Sequence, residues 1–243
     1  MDRVSGKTVI VTGGARGMGA AFARKLADQG ASVVITDVLA EEGKAVAADI
    51  GERALFLPHD VTDESAWQSV VSVAEQAFGP VAGLVNNAGI VHVDPIEKLA
   101  ETDYRKVIDV NQVGVFLGMK AVVPSMRRAG GGSIVNISSI GGIIAFSNIL
   151  GYVASKWAVR GMSKAAAQEF GVDGIRVNSV HPGVVATEMT ATSDRSHSMV
   201  HDQPLPRAAT PEELANVVLF LISDESAYCT GAEFVADGGF TTK

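Results

Sequence analysis

The sequence predicts an α/β fold: one doubly wound, parallel, seven-stranded sheet with helices on both faces. Three observations predict it. Short apolar runs alternate along the chain with helix-length amphipathic segments, the order from which parallel sheets are built. The runs are near-continuous in Val, Ile and Leu rather than alternating, as in strands covered on both faces. No linker, repeat or low-complexity tract divides the 243 residues, so a single core is expected.

The elements follow in order. Lys7–Thr12 (KTVIVT) reads as the first strand and Gly17–Gln29 as the first helix, stopped by Gly30. Ala31–Thr36 (ASVVIT) is the second strand, 40–49 a helix and 53–57 the third strand. Asp63 can cap a helix reaching about Phe78, because its carboxylate can accept from the free amides of the first turn. Strand four is 83–86, and Thr102 opens a long helix ending near Arg128. Ser133–Ser138 (SIVNIS) is strand five, 151–170 a helix and 175–180 strand six. Thr210-Pro211-Glu212-Glu213 is a capping box with proline at the first helical position, opening a helix to about Ile222. Strand seven is 232–235. The stretch 181–209 reads as irregular, and a loop of that length inside a compact domain is usually functional or mobile.

Composition narrows the function. With 47% hydrophobic and 19% charged residues the chain is not disordered. Lys+Arg 20 against Asp+Glu 27 gives a net charge of −7, so a nucleic-acid partner is not expected. The one cysteine, Cys229, cannot form an internal disulfide, which fits a reducing, cytoplasmic compartment. No apolar run is read as approaching the roughly 18 residues of a membrane span, and no signal-peptide core follows Met1. The five histidines show no metal-ligand spacing with Cys229 or with one another, so no metal is expected; His181, before Pro182, reads as structural or at the edge of a cleft.

Ligands in such folds bind beyond the carboxyl ends of the strands. Strand one runs into Thr12-Gly13-Gly14-Ala15-Arg16-Gly17-Met18-Gly19. Gly13, Gly17 and Gly19 form G-x-x-x-G-x-G, a turn through which backbone amides can approach a pyrophosphate at a helix N-terminus. The spacing departs from G-x-G-x-x-G, and alone it equally describes a tight turn. Asp37 ends strand two, about where a ribose-binding acid is expected. Its carboxylate would accept from both ribose hydroxyls and repel a 2′-phosphate, and Val38 adds no positive charge. NAD is therefore expected over NADP; Arg16, a base in the glycine loop, is the argument the other way.

Tyr152 and Lys156 stand at i and i+4 and share a helix face. A tyrosine of pKa ~10 is a poor proton-transfer group at neutral pH, and a nearby ammonium is expected to lower it. Ser138 and Ser139 end strand five and could hold a substrate oxygen beside Tyr152, although serines there are also ordinary turn formers. There is no G-x-S-x-G elbow.

Together, Thr12–Gly19, Asp60, Asn86-Asn87-Ala88-Gly89, Asn111, Ser139, Tyr152, Lys156 and Pro182-Gly183, in this order over essentially the whole chain, resemble the short-chain dehydrogenase/reductase family. The resemblance implies one Rossmann domain over 1–243, with 181–210 as the substrate-binding loop region, and NAD(P)-dependent interconversion of a secondary alcohol and a ketone. It implies Tyr152 as acid/base, Lys156 on the nicotinamide ribose, Ser139 on the substrate oxygen, and Asn111 anchoring a proton-relaying water. It places Asp60 and Val61 at the adenine, Asn87, Ala88 and Gly89 along the adenine-side ribose, and Val110 on the cofactor. Pro182 and Gly183 through Thr187 would close over the nicotinamide, with Val185 and Thr187 at its carboxamide. Asn111 reads equally as a helix-kink residue, and Asn178 reads as structural.

The substrate lining is expected from Ser139, Gly141, Phe146, Ile149, Tyr152, Gly183 and Met189. It is mostly apolar, which fits a hydrophobic ketone or secondary alcohol. Within the family, the segments 13–20, 41–43 and 230–235 resemble those of bacterial 3α(or 20β)-hydroxysteroid dehydrogenases. The alternatives are 3-oxoacyl-(acyl carrier protein) reduction, small-ketone reduction and, remotely, a non-catalytic dinucleotide-binding regulator. The resemblance also implies a homotetramer, with Phe116, Met119, Trp157 and Phe170 as contact candidates.

Overall fold

The computed structural model describes residues 2–191 and 194–242. The strands are β1 (Thr8–Thr12), β2 (Ser32–Asp37), β3 (Ala54–Pro58), β4 (Val81–Asn86), β5 (Gly132–Ile137), β6 (Ile175–Pro182) and β7 (Glu233–Ala236). They form one parallel sheet in the order β3-β2-β1-β4-β5-β6-β7. The strand order reverses between β1 and β4, and that crevice is where the fold opens a ligand site.

Helices α1 (Gly17–Asp28), α2 (Ala40–Ile50) and α9 (Pro211–Ile222) cover one face. Phe22, Leu26, Val46, Leu214 and Leu219 are buried there against Val9, Val33 and Val135. On the other face lie α3 (Glu64–Phe78), α4 (Glu101–Ile108), α5 (Gly114–Arg128) and α6 (Leu150–Phe170). Their Trp67, Val70, Val122, Met126 and Val159 pack on Ile10, Leu84 and Ile134. Local chemistry sets the starts. Asp63 accepts from the Ser65 and Ala66 amides at 2.8 and 3.3 Å, and Glu213 accepts from the Thr210 amide at 2.8 Å.

Three expectations need correction. The long helix is not regular: residues Asp109–Val113 form a π-turn between α4 and α5. The irregular stretch contains two short helices, α7 (Glu188–Ala191) and α8 (Asp194–His201). Finally, Glu101–Arg128 is by length and composition apolar enough to cross a membrane, at mean hydropathy 1.3. Its apolar residues Val115, Leu117, Met119, Val122 and Met126 instead serve the core.

Candidate active site

The glycine loop is shaped by close approaches. Gly13 and Gly17 have φ of 61° and 53°, the left-handed region open to glycine. A Cβ on Gly13 would lie 2.8 Å from Ala88 Cα, and one on Gly19 would lie 2.0 Å from the Gly13 carbonyl oxygen. The loop thus folds tightly over the start of α1 and against the segment after β4. Thr12 and Asn87 lock the two together. The Thr12 hydroxyl accepts from the Asn87 and Ala88 amides, and Asn87 Nδ2 donates to the Thr12 and Gly13 carbonyls. The Asn87 amide nitrogen is therefore committed to the loop.

No side chain caps α1, and its first turn carries no acidic residue. Its amides and the positive end of the helix dipole are left for an anion. Asp37, at the end of β2, accepts from the Ala15 amide and the Leu39 amide, both at 3.0 Å, one on each carboxylate oxygen. Each oxygen keeps a lone pair for a diol. Val38 is exposed beside it, and Arg16 is exposed with no partner among the described residues. An uncapped helix N-terminus with a carboxylate on the neighbouring strand end fits a dinucleotide's pyrophosphate and ribose. Further along, Asp60 is turned onto its own loop, accepting from the Thr62 amide and hydroxyl, and Val61 is buried against Gly114 of α5.

Tyr152, Lys156 and Ser139 come together at the ends of β5 and α6. Lys156 Nζ lies 5.5 Å from the Tyr152 ring centroid and donates to the Ile137 carbonyl at 2.8 Å. Burial pushes the Lys156 ammonium down to about 8. The Ser139 hydroxyl accepts from the Gly141 amide at 3.0 Å, so its own proton is free to donate. The expected lowering of Tyr152 is not what the protein shows. Burial raises it, and the hydrogen bond with Ser139 offsets this only in part. Burial therefore favours the neutral phenol. Gly142 makes the corner possible, and Gly141 lies beside it at ordinary contact distance. A Cβ on Gly141 would touch Ser139 Oγ and the Tyr152 ring at 3.4 Å, while one on Gly142 would lie 2.6 Å from Ser138 Oγ.

Asn111 is fully buried on the π-turn, and its side chain is occupied. It accepts from the Ile90 amide and donates to the Ile90 carbonyl and the Ser155 hydroxyl. The kink reading of this residue is the one with observed bonds. It still lies near Lys156, since a Cβ on Gly89 would sit 3.4 Å from Asn111 Oδ1 and 3.6 Å from Lys156 Nζ. Val110, on the same turn, packs against the core.

The segment after β6 crosses the cleft. Gly183 donates to the Ala236 carbonyl and passes so close to Asp237 that a Cβ would lie 2.8 Å from Asp237 Cα. Pro182 and Val185 are buried, Val185 pairing with Ala209, and Thr187 reaches the start of α1, 3.4 Å from where a Gly17 Cβ would stand. Met189 is exposed on α7. Phe146 is half-buried beneath the Arg195 guanidinium of α8, 5.8 Å from its ring centroid, and Arg195 also donates to the Ser147 carbonyl. Ile149, expected at the substrate, is only 4% exposed and packs under the loop. Met119, expected at a subunit contact, is buried with its sulfur accepting from Asn136, and Phe170 packs on the core. The sequence reading missed Arg195; a lone base in a Ser- and His-rich stretch gave no signal. It treated Asn178 rightly as structural: Nδ2 donates to the Cys229 carbonyl and Oδ1 accepts from the Ala232 amide.

Comparison with known proteins agrees with this geometry. Residues 13–241 match the family model described as enoyl-(acyl carrier protein) reductase. The chain is 51% identical over 237 residues to a 3-alpha-(or 20-beta)-hydroxysteroid dehydrogenase of Mycobacterium tuberculosis, covering 98% of this chain and 90% of the relative. It is 46% identical to the trans-4-hydroxycyclohexanecarboxylate dehydrogenase of Sinomonas cyclohexanicum, covering 99% and 95%. It is 40% identical to the NADP-dependent (R)-specific alcohol dehydrogenase of Lentilactobacillus kefiri, covering 100% and 99%.

Proposed function

The chain belongs to the short-chain dehydrogenase/reductase family, oxidoreductases of secondary alcohols and ketones that work with a nicotinamide dinucleotide, and we propose that it is an NAD-preferring dehydrogenase of a hydrophobic ring alcohol, a hydroxysteroid foremost. The observation that carries the reading is the meeting of Ser139, Tyr152 and Lys156 beside an uncapped α1 with Asp37 next to it.

When bound, the cofactor supplies or takes the hydride, and the chain's own residues do the rest. Gly17, Met18 and Gly19 offer backbone amides to the pyrophosphate, and Asp37 holds the adenine-side ribose. Lys156 holds the nicotinamide ribose. Ser139 Oγ donates to the substrate oxygen and stabilises charge developing there. Tyr152 carries the hydroxyl proton. Burial raises its pKa, so the phenolate that alcohol oxidation needs would draw on the Lys156 ammonium and on the positive charge of an oxidised nicotinamide.

NAD preference rests on Asp37, whose carboxylate at the end of β2 would hold the adenine-side ribose. A 2′-phosphate there would face a carboxylate within a few ångströms, and Arg16 points from an exposed position. The apolar character of Phe146, Met189 and the glycine corner supports a flat apolar substrate. Phe116 and Trp157, about half exposed on α5 and α6, and Val235 on the edge strand support a homotetramer.

The test is initial-rate oxidation of a panel of hydroxysteroids, cyclopentanol, cyclohexanols and aryl alcohols, with NAD+ and NADP+ in parallel. Steroid turnover with NAD+ is expected. Turnover of small alcohols alone would remove the steroid reading, and NADP+ preference would show that Arg16 outweighs Asp37.

A further inference from the structure

His181 lies on β6 just ahead of Pro182-Gly183 and has no exposed surface. Both its ring nitrogens are engaged. Nδ1 is 3.0 Å from the Ser139 carbonyl oxygen, and Nε2 is 2.9 Å from the Ser179 hydroxyl. A carbonyl only accepts, so Nδ1 carries the proton. In the neutral ring Nε2 is then the acceptor, and the Ser179 hydroxyl donates to it. The chemistry of the partners therefore fixes the tautomer.

The position of this bond in the sheet gives it meaning. Pairing between β5 and β6 ends where the Ser138 amide donates to the Val180 carbonyl at 2.7 Å. The pairing goes no further, because the next β6 amide due to face β5 belongs to Pro182, which has no N–H, while the Gly183 amide faces β7 and donates to the Ala236 carbonyl. The Ser139 carbonyl accepts from the Gly142 amide of its own turn at 2.9 Å, but no backbone donor of β6 reaches it where the chain bends into the site. The His181 ring supplies that donor and extends the ladder by one bond through a side chain. The remaining bonds of the corner are also set: Ile137 carbonyl to Lys156, Ser138 hydroxyl to the Lys156 carbonyl, and Ser139 Oγ to the Gly141 amide.

We infer that His181 is a positioning residue for the reaction: its Nδ1–H holds the Ser139 peptide, and through it the Ser139 hydroxyl, at the place where the substrate oxygen is gripped. This rests on the dehydrogenase reading above. It adds to it a specificity for one ring nitrogen. Asparagine places a side-chain nitrogen where Nδ1 stands, whereas glutamine places one nearer Nε2. The two variants are similar in polarity and differ in which bond they can keep.

The experiment compares His181→Asn, His181→Gln and Ser179→Ala with wild type. It uses NAD+ with the alcohol of the panel that wild type turns over best, and follows NADH binding by fluorescence. His181→Gln should lower kcat about 10- to 100-fold, the scale of a misplaced reacting group. Its NADH affinity should fall far less than its kcat, since His181 bonds Ser139 and Ser179 rather than the glycine loop or Asp37. His181→Asn should restore most of kcat, and Ser179→Ala should cost little because the Nδ1 bond remains. Equal losses in the Asn and Gln variants, or an unchanged kcat in the Gln variant, would overturn the assignment. A measurement independent of turnover is the 15N spectrum of the histidines in the full protein. A protonated Nδ1 and a bare Nε2 at His181 are expected. An Nε2–H tautomer would overturn the geometry even if the enzyme assignment stood, and the expected tautomer in a protein that oxidises no alcohol would separate the two readings.

Discussion

Lys156 Nζ donates to the Ile137 carbonyl at 2.8 Å, so the lysine of α6 is bonded to the last residue of the strand that leads into Ser138 and Ser139. One side chain therefore sets the distance between α6 and β5 and also carries the charge beside Tyr152. The cost is a buried ammonium, which burial lowers from 10.5 to about 8.

That cost predicts a pH dependence of stability. Between pH 8 and 10.5 the unfolded chain holds the Lys156 proton and the folded chain has released it, so stability rises with pH across that window. Below pH 8 both states are protonated and the full penalty of about 3 kcal/mol applies. Denaturant melts of wild type and Lys156→Met over pH 7–10.5 should show wild type gaining on the variant as pH rises. A constant gap would mean that Lys156 keeps its ordinary affinity for protons.

Tyr152→Phe removes the proton carrier and leaves the ring. Turnover should fall about 100- to 10,000-fold, the range of a positioned acid or base. NADH binding, read by fluorescence titration, should stay close to wild type. Retained activity would assign the proton transfer to another group.

Asp37→Ala should lower the ratio of kcat/KM for NAD+ over NADP+ if, as proposed, its carboxylate repels a 2′-phosphate. The variant should also melt earlier, since the Ala15 and Leu39 amides lose their acceptor, each such bond being worth about 1 kcal/mol. Adding Arg16→Leu should reverse part of the gain in NADP+ use. An unchanged coenzyme ratio in the single variant would show that Asp37 serves the loop alone.

Two glycines should respond in opposite ways to alanine. At Gly19 the new methyl would meet the Gly13 carbonyl at 2.0 Å, and overpacking of that kind costs about 1–3 kcal/mol or more. Thermal melts should show a large loss of stability together with loss of NADH binding. At Gly141 the contacts would be 3.4 Å, to Ser139 Oγ and the Tyr152 ring. That variant should fold normally and raise KM more for a steroid than for cyclopentanol. Equal effects on both substrates would place the bulky end of the substrate elsewhere.

The sheet was legible because its signal is local. The inner strands bury both faces, so runs such as Val9-Ile10-Val11 and Val33-Val34-Ile35 announce themselves without knowledge of their neighbours. The glycine loop was legible for a similar reason: Gly13 and Gly17 adopt a left-handed backbone that few other residues tolerate. The helices at Glu188–Ala191 and Asp194–His201 gave no such signal. They are short, rich in Ser, Thr and His, and held by contacts such as Arg195 on Phe146, which residue spacing does not reveal.

By itself the sequence determined the order of strands and helices, the glycine loop, and which residue types could carry proton and ribose. These follow from hydrophobic periodicity and backbone sterics, which act within a few residues. Only the tertiary structure decided the balance of forces at the site. The sequence reading expected Lys156 to lower Tyr152, but in the folded protein burial raises the phenol, offset in part by the hydrogen bond with Ser139. The π-turn draws Asn111 wholly inside, where Ile90 and Ser155 occupy it. His181 finds Ser139, 42 residues away, across the end of the sheet. Desolvation and hydrogen-bond geometry depend on everything packed around a group, and that surrounding exists only once the chain has folded.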